Sequence, residues 1–254
     1  MSRSMNITDA NFSVDSRLAL PEDEVQLWRA DLATIGSNES RWQSLLSADE
    51  KQRASRFHFA IDRQRFATTR ALLRLLLAGY LSARPNDLTF SYSEKEKPSL
   101  RTSYAEGNVA FNVSHSGEIA LLAFTRGRRI GVDVEHIHRD IEVDSIARRF
   151  FSAREQMELA AMADEERVHG FFRCWTRKEA YIKAVGDGLS LPLSQFDVSL
   201  EPGAKTALLA TRPDNSEAER WLLRETPAGD NYAAALCVEG RDWKLRDWTT
   251  ASSF

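Results

Sequence analysis

The stretch from Phe171 to Val185 constrains this chain more than any other. It contains no glycine or proline and is rich in Arg, Lys, Glu and Ala, all good helix formers. A helix is expected over 166–185, ended by Gly186 and Gly188. Trp175, Glu179 and Lys183 recur at i, i+4 and i+8 and so share one slowly drifting stripe. Phe171, Phe172, Trp175, Ile182 and Val185 can anchor the helix in a core. An acid and a base then sit at a fixed place on a rigid element. The chain has seven Lys against 27 Arg, and this helix holds two of the seven. Taken alone, Glu179 and Lys183 read as a surface ion pair. The rest of the chain decides between that and chemistry.

Residues 1–20 are polar and without period, and a loose arm is expected there. Strands are expected over 25–32, 88–92, 109–114, 119–125 and 129–135. Ser47-Ala-Asp-Glu50 has capping-box spacing and opens a helix running toward Phe57 and Phe59. A longer helix follows over 62–82, apolar on one face, with Arg63, Arg65, Arg70 and Arg74 as its basic residues. Glu94–Pro98 reads as a charged loop, and Ser116-Gly117 and Arg126-Gly127-Arg128 as turns. Helices over 143–150, 153–163 and 166–185 precede a β-rich end with strands over 196–200, 207–211, 221–225, 232–238 and 243–248. The class is α+β, in two halves of similar content meeting near residue 140: a lobe over 21–140 and a lobe over 141–254.

With 254 residues, 43% of them hydrophobic, the chain can bury a sizeable core. A net charge of −3 argues against a general nucleic-acid binder. No run of about 18 apolar residues suggests a membrane span, and the N-terminus has no signal-peptide pattern. Cys174 and Cys237 read as reduced structural thiols of a cytoplasmic protein. No C-x-x-C or H-E-x-x-H spacing points to zinc.

The sharpest motif is Arg129-Ile-Gly-Val-Asp-Val-Glu135. Ile130, Val132 and Val134 alternate, placing Gly131, Asp133 and Glu135 on the opposite strand face. Two carboxylates about 7 Å apart at Cα repel unless a positive charge lies between them. Mg²⁺, which takes a few carboxylates plus water and phosphate, is a natural occupant. A solvated strand face is the plain alternative. Gly131 removes bulk on the carboxylate side, where a ligand can approach. Phe111-Asn-Val-Ser-His115 ends a strand and can offer Ser114, His115 and backbone N–H groups to an anion, or simply form a turn. Arg53, Arg56, Arg63, Arg65 and Arg70, with Lys95 and Lys97, can bind phosphates, although most of the five arginines read as the solvated face of a helix. Ser152-Ala-Arg-Glu155 has capping-box spacing, and its Glu155 can alternatively approach a metal.

In order along the chain, Phe111-Asn-Val-Ser-His115, Gly131-Val-Asp-Val-Glu135, Phe150-Phe-Ser-Ala-Arg-Glu155, Trp175-Thr-Arg-Lys-Glu-Ala-Tyr-Ile-Lys183 and Gly188-Leu-Ser-Leu-Pro-Leu193 resemble 4′-phosphopantetheinyl transferases of the larger, monomeric, surfactin-synthetase-activating class. The resemblance runs from about Ser47 to Val238. The G-x-D-x-E and W-x-x-K-E-A-x-x-K motifs, about 40 residues apart, make it specific. It implies a pseudo-dimeric fold of two α/β lobes with the active site between them. It implies transfer of 4′-phosphopantetheine from coenzyme A to a serine of an apo acyl or peptidyl carrier protein, with Mg²⁺ and release of adenosine 3′,5′-bisphosphate. By match to the motifs, Asp133, Glu135 and Glu179 are metal ligands. Ser114, His115 and Lys183 contact phosphates, and Arg53, Arg70, Lys97, Pro98 and Asn112 contact the coenzyme. Glu96 stands where the family has glycine. Glu179 or Glu155 takes the serine proton. Competing readings are a Mg²⁺-dependent phosphohydrolase and a non-catalytic carrier-protein or coenzyme A binder. The carrier surface is expected near the helices of 143–185, where Met157, Leu159 and Met162 suit either a partner or a core.

Overall fold

The ends of the long helix explain it as well as its interior does. Asp164, Glu165 and Glu166 crowd its first turn, where the helix dipole favours negative charge, and Gly186 takes φ +88° at the C-cap. A computed structural model of the chain describes residues 3–5, 17–36, 39–92, 98–101, 108–186, 191–203 and 207–250. In chain order its elements are β1 (Arg3–Met5), β2 (Glu24–Asp31), α1 (Leu32–Ile35), α2 (Glu39–Leu45), α3 (Ala48–Ala54), α4 (Ala60–Leu81), β3 (Phe90–Tyr92), β4 (Pro98–Leu100), β5 (Val109–Ser116), β6 (Ile119–Arg126), β7 (Ile130–His136), α5 (Val143–Phe150), α6 (Ala153–Ala160), α7 (Asp164–Val185), β8 (Phe196–Val198), β9 (Leu208–Thr211), α8 (Glu217–Arg220), β10 (Trp221–Glu225), β11 (Tyr232–Glu239) and β12 (Lys244–Thr250). The α+β class is as expected. Glu94 to Lys97 and Gly188 lie outside the described residues.

Two units make up the chain, and their boundary is not a single cut near 140. One comprises 1–109, 118–127 and 244–254; the other comprises 110–117 and 128–243. Strand pairing is the reason. β7 pairs antiparallel with β11, far along the chain, while β12 runs parallel to β2.

In the first unit, β2 is flanked by β12 and by antiparallel β6, and β1 adds to β12 in parallel. Residues 3–5 are therefore a paired strand, not loose chain. Leu20 is buried, and the Leu18 amide donates to Gly79 O. Trp28 stacks on Trp248 at 5.1 Å and donates its indole N–H to Tyr80 of α4 at 2.8 Å. The central part of α4, from Ala67 to Tyr80, is buried on every side. Of the five arginines read mostly as a solvated face, this corrects Arg70 alone: Arg56 is exposed, and Arg53, Arg63 and Arg65 are half-buried. Arg74 donates to Glu50 at 2.7 Å and to the carbonyls of Pro85 and Leu88, and Arg70 lies 3.0 Å from the same carboxylate. Glu50 also accepts from the Ser47 amide, as the capping-box spacing implied. One acidic side chain thus caps α3 and neutralises α4.

In the second unit, β10, β11 and β7 form an antiparallel sheet, and α7 lies on β7 and β11. Ala233, Ala235 and Cys237 of β11, which pair with Glu135, Asp133 and Gly131, join one core with Phe171, Cys174, Ala180 and Ala184 of α7. Small side chains at alternate strand positions let the helix approach closely. Gly131 takes this furthest. A Cβ there would lie 2.1 Å from Ala180 O and 2.4 Å from Ala184 N. The expectation that Gly131 makes room for a ligand is corrected: the room is filled by the helix backbone.

Candidate active site

Glu179 and Lys183 lie half-buried on α7, in one stripe with Trp175, which packs against Phe150 and Phe171. The close seat of α7 brings this stripe to the Asp133 side of β7. Lys183 Nζ donates to Asp133 Oδ1 at 2.6 Å and to Ser114 Oγ at 3.2 Å. The surface pair with Glu179 read from the helix alone gives way to a contact with Asp133. Asp133 is 3% exposed, and its second oxygen, Oδ2, is buried with no hydrogen-bond partner among the described residues. An orphaned carboxylate oxygen at such burial is costly unless a cation or donor arrives.

Strand β5 backs this carboxylate with a polar ladder. Asn112 Oδ1 accepts from the Val132 amide at 2.8 Å, Ser114 Oγ from Val134 at 3.4 Å, and Ser116 Oγ from His136 at 3.1 Å. The two serines donate onward, Ser114 to Asp133 Oδ1 at 2.9 Å and Ser116 to Glu135 Oε2 at 2.8 Å. Asn112 and Ser114 are buried, whereas His115, on the other side of the strand, is exposed.

The electrostatics are those of three neighbouring acids facing one ammonium, Lys183. Burial, then the charge of Asp133, raises the Glu179 carboxyl to about 7. Burial and Asp133 also raise Glu135, although the Ser116 hydrogen bond and Lys183 oppose this. Because Glu179 binds its proton more tightly folded than unfolded, its contribution to stability is full below its ordinary value of 4.5. That contribution is lost as pH rises through about 7. Glu179→Gln has no charge to acquire. In metal-free protein the unfolding midpoint of the variant should therefore gain on the wild type between about pH 5 and about pH 8. Thermal melts at both pH values check this; a constant difference would contradict it.

Three carboxylates couple here, yet among the described residues no three carboxylate, imidazole or thiol groups converge as a closed metal cage. Mg²⁺ seldom needs one: it keeps several waters and takes one or two carboxylates plus substrate phosphate. The orphaned Asp133 Oδ2 and the serine-held Glu135 fit such a partial set.

Glu155 is corrected as a candidate base. It is fully buried at the start of α6, where Oε2 accepts from the Ser152 amide and Oε1 from the Val198 amide and Lys178 Nζ, each at 2.8 Å. Its capping role holds. Lys178, which sequence reasoning did not single out, is 0% exposed and also donates to Leu193 O and Phe196 O. Its only sequence signal is the scarcity of lysine. Removing one member of such a pair typically costs about 3–5 kcal/mol, so Lys178 fixes α7 rather than acting on substrate. Leu159 is core and Met162 packs on Gly170, while Met157 is 68% exposed. In the first unit, Arg53 is half-buried over the Phe66 ring, Arg70 is buried over Phe90, and Pro98 pairs with Tyr92 in the β3–β4 hairpin. Lys97 and Glu96 lie outside the described residues.

Comparisons with known proteins point one way. A family model described as the 4′-phosphopantetheinyl transferase superfamily matches residues 129–237, and one described as 4′-phosphopantetheinyl transferase, N-terminal, matches residues 36–126. The chain is 40% identical over 231 residues to the 4′-phosphopantetheinyl transferase HetI of Nostoc sp., covering 91% of this chain and 94% of that one. It is 31% identical over 203 residues to the 4′-phosphopantetheinyl transferase Sfp of Bacillus subtilis, covering 80% and 86%. It is 26% identical over 239 residues to the human L-aminoadipate-semialdehyde dehydrogenase-phosphopantetheinyl transferase, covering 88% and 77%.

Proposed function

The chain belongs to the 4′-phosphopantetheinyl transferase family, and from that premise we propose that Asp133, Glu135, Glu179 and Lys183 carry its reaction. The reaction moves 4′-phosphopantetheine from coenzyme A to a serine of an apo acyl or peptidyl carrier protein. The serine oxygen attacks the β-phosphorus, the bond to the bridging oxygen breaks, and adenosine 3′,5′-bisphosphate leaves. The observation that carries the assignment is the buried Asp133 Oδ2, without a hydrogen-bond partner among the described residues, in a carboxylate whose other oxygen accepts from Lys183.

Asp133 and Glu135 would hold Mg²⁺. When bound, the ion supplies positive charge to the pyrophosphate oxygens and to the leaving phosphate. Lys183 adds a compact ammonium one turn beyond Glu179. Glu179, half-buried one turn before Lys183, keeps the two roles the family motif leaves it, third metal ligand and acceptor of the serine proton. Glu155 has no oxygen left for that task. Ser114, with its hydroxyl between Lys183 and Asp133, sets the ammonium against the carboxylate. His115, exposed on the same strand, keeps the phosphate-contact role the family motif gives it, and Asn112 stays among the coenzyme-binding residues. Arg53, Arg70, Lys97 and Pro98 are retained as coenzyme contacts by motif match. Arg70 already shares its charge with Glu50.

The buried free thiols Cys174 and Cys237 fit a reducing, cytoplasmic setting. Among the described residues no helix is long and apolar enough to cross a membrane. Purified protein with coenzyme A and Mg²⁺ should make an apo carrier heavier by about 340 Da, the arm's formula mass, as phosphoryl transfer to serine requires. Phosphate release from small esters without any mass gain across a panel of carriers would favour the phosphohydrolase reading instead.

A further inference from the structure

We propose that Ser116 is a positioning residue for Glu135, aiming that carboxylate at the bound cation. This rests on the reading of Asp133 and Glu135 as the cation-holding pair. Strand β5 meets β7 through side chains at alternate positions. Asn112, Ser114 and Ser116 each accept from the amide 20 residues further on. The two serines each donate to the carboxylate 19 residues further on. The repeat is regular, so the two serines do the same thing for the two acids.

A serine hydroxyl has a single proton. At Ser116 the oxygen receives the His136 N–H at 3.1 Å, which turns its own O–H toward Glu135 Oε2 at 2.8 Å. That amide belongs to a strand paired residue by residue with β11, His136 opposite Tyr232 and Glu135 opposite Ala233. The direction of the carboxylate is thereby referred to rigid backbone. The turn that follows is fixed as well: Gly117 has φ +54°, and a Cβ there would lie 2.6 Å from the Tyr232 hydroxyl oxygen. Among the described residues Asn112 hydrogen-bonds to the Val132 amide and to neither acid, so the ladder would hold β7 without the serine protons. The donation to Glu135 therefore has a separate purpose. Groups that hold a ligating side chain by a hydrogen bond usually change ion affinity when removed, even though they never touch the ion.

The test is direct Mn²⁺ binding to the full-length protein, followed by loss of the free-ion paramagnetic resonance signal. Ser116→Ala should weaken binding about 10-fold, and Ser116→Thr, which keeps the hydroxyl, should restore it. The Mg²⁺ concentration for half-maximal transfer should rise in parallel, while the rate at saturating Mg²⁺ stays within about 3-fold of wild type. If Ser116→Ala does not fold, Ser116→Val against Ser116→Thr makes the same comparison at constant shape. Ser116→Ala binding Mn²⁺ like wild type, while Glu135→Gln loses it, overturns the inference alone. Absence of Mn²⁺ binding by the wild-type protein overturns the cation reading and this inference with it.

Discussion

Asp133→Asn should lower transfer to a carrier protein by about 10³-fold or more while leaving the protein folded, since a buried charge aimed at the reacting phosphates is lost. The size of the effect follows from what Asp133 does at once. It accepts from Lys183 and Ser114 through one oxygen and leaves the other buried without a hydrogen-bond partner among the described residues. Asn keeps the shape and can still accept from Ser114. It removes the charge that holds Lys183, and its amide group offers donors on the side where a cation is needed. Rate measurements by carrier mass at saturating coenzyme A and Mg²⁺ check this. Activity within about 10-fold of wild type would remove Asp133 from the machinery.

Gly131→Ala should destabilise the protein by on the order of 4 kcal/mol or more, at the extreme of single-substitution effects. The added methyl meets Ala180 O, Ala184 N and Lys183 C at 2.1, 2.4 and 2.9 Å. All three are backbone atoms of a helix fixed by the Lys178–Glu155 pair and by Arg177, which donates to Ser199 O at 2.6 Å and to Glu225 Oε2 at 2.8 Å. Relief would require α7 to lift, carrying Glu179 and Lys183 away from Asp133. Denaturant unfolding reads the stability. Whatever folded protein remains should have lost most of its activity too. A loss under about 1 kcal/mol with full activity would mean the helix seat is softer than its contacts imply.

Much of this was legible in the sequence because short-range rules were strong where they applied. Alternation of Ile130, Val132 and Val134 against Asp133 and Glu135 located β7, and the uninterrupted run after Gly170 located α7. Two capping boxes placed α3 and α6 at their observed starts. What was hidden depends on partners distant in sequence. The pairing of β12 with β2 joins residues more than two hundred apart, and no local pattern encodes it. Arg70 was counted with a solvated face because a guanidinium is usually exposed; its burial, like that of Arg74, depends on Glu50, which served equally well as a cap. Glu155 and Lys178 neutralise each other in the core, and neither spacing nor composition pairs them. The helices α1 and α2 are short, and the fold rather than local propensity supports them, through contacts such as Trp42 Nε1 to Ile35 O at 2.8 Å. Ser116 read as part of a turn, whereas β5 runs through to it and sets it beside Asn112 and Ser114 against β7.

The assignment of the carboxylates is tested most directly by an anomalous difference map from crystals soaked with Mn²⁺ and coenzyme A. The expected result is one peak at Asp133 Oδ2, shared with Glu135 and adjoining the pyrophosphate, at about the 2.1 Å oxygen distances typical of such hard cations. A peak held by other residues, or coenzyme bound with no ion at Asp133, would contradict it.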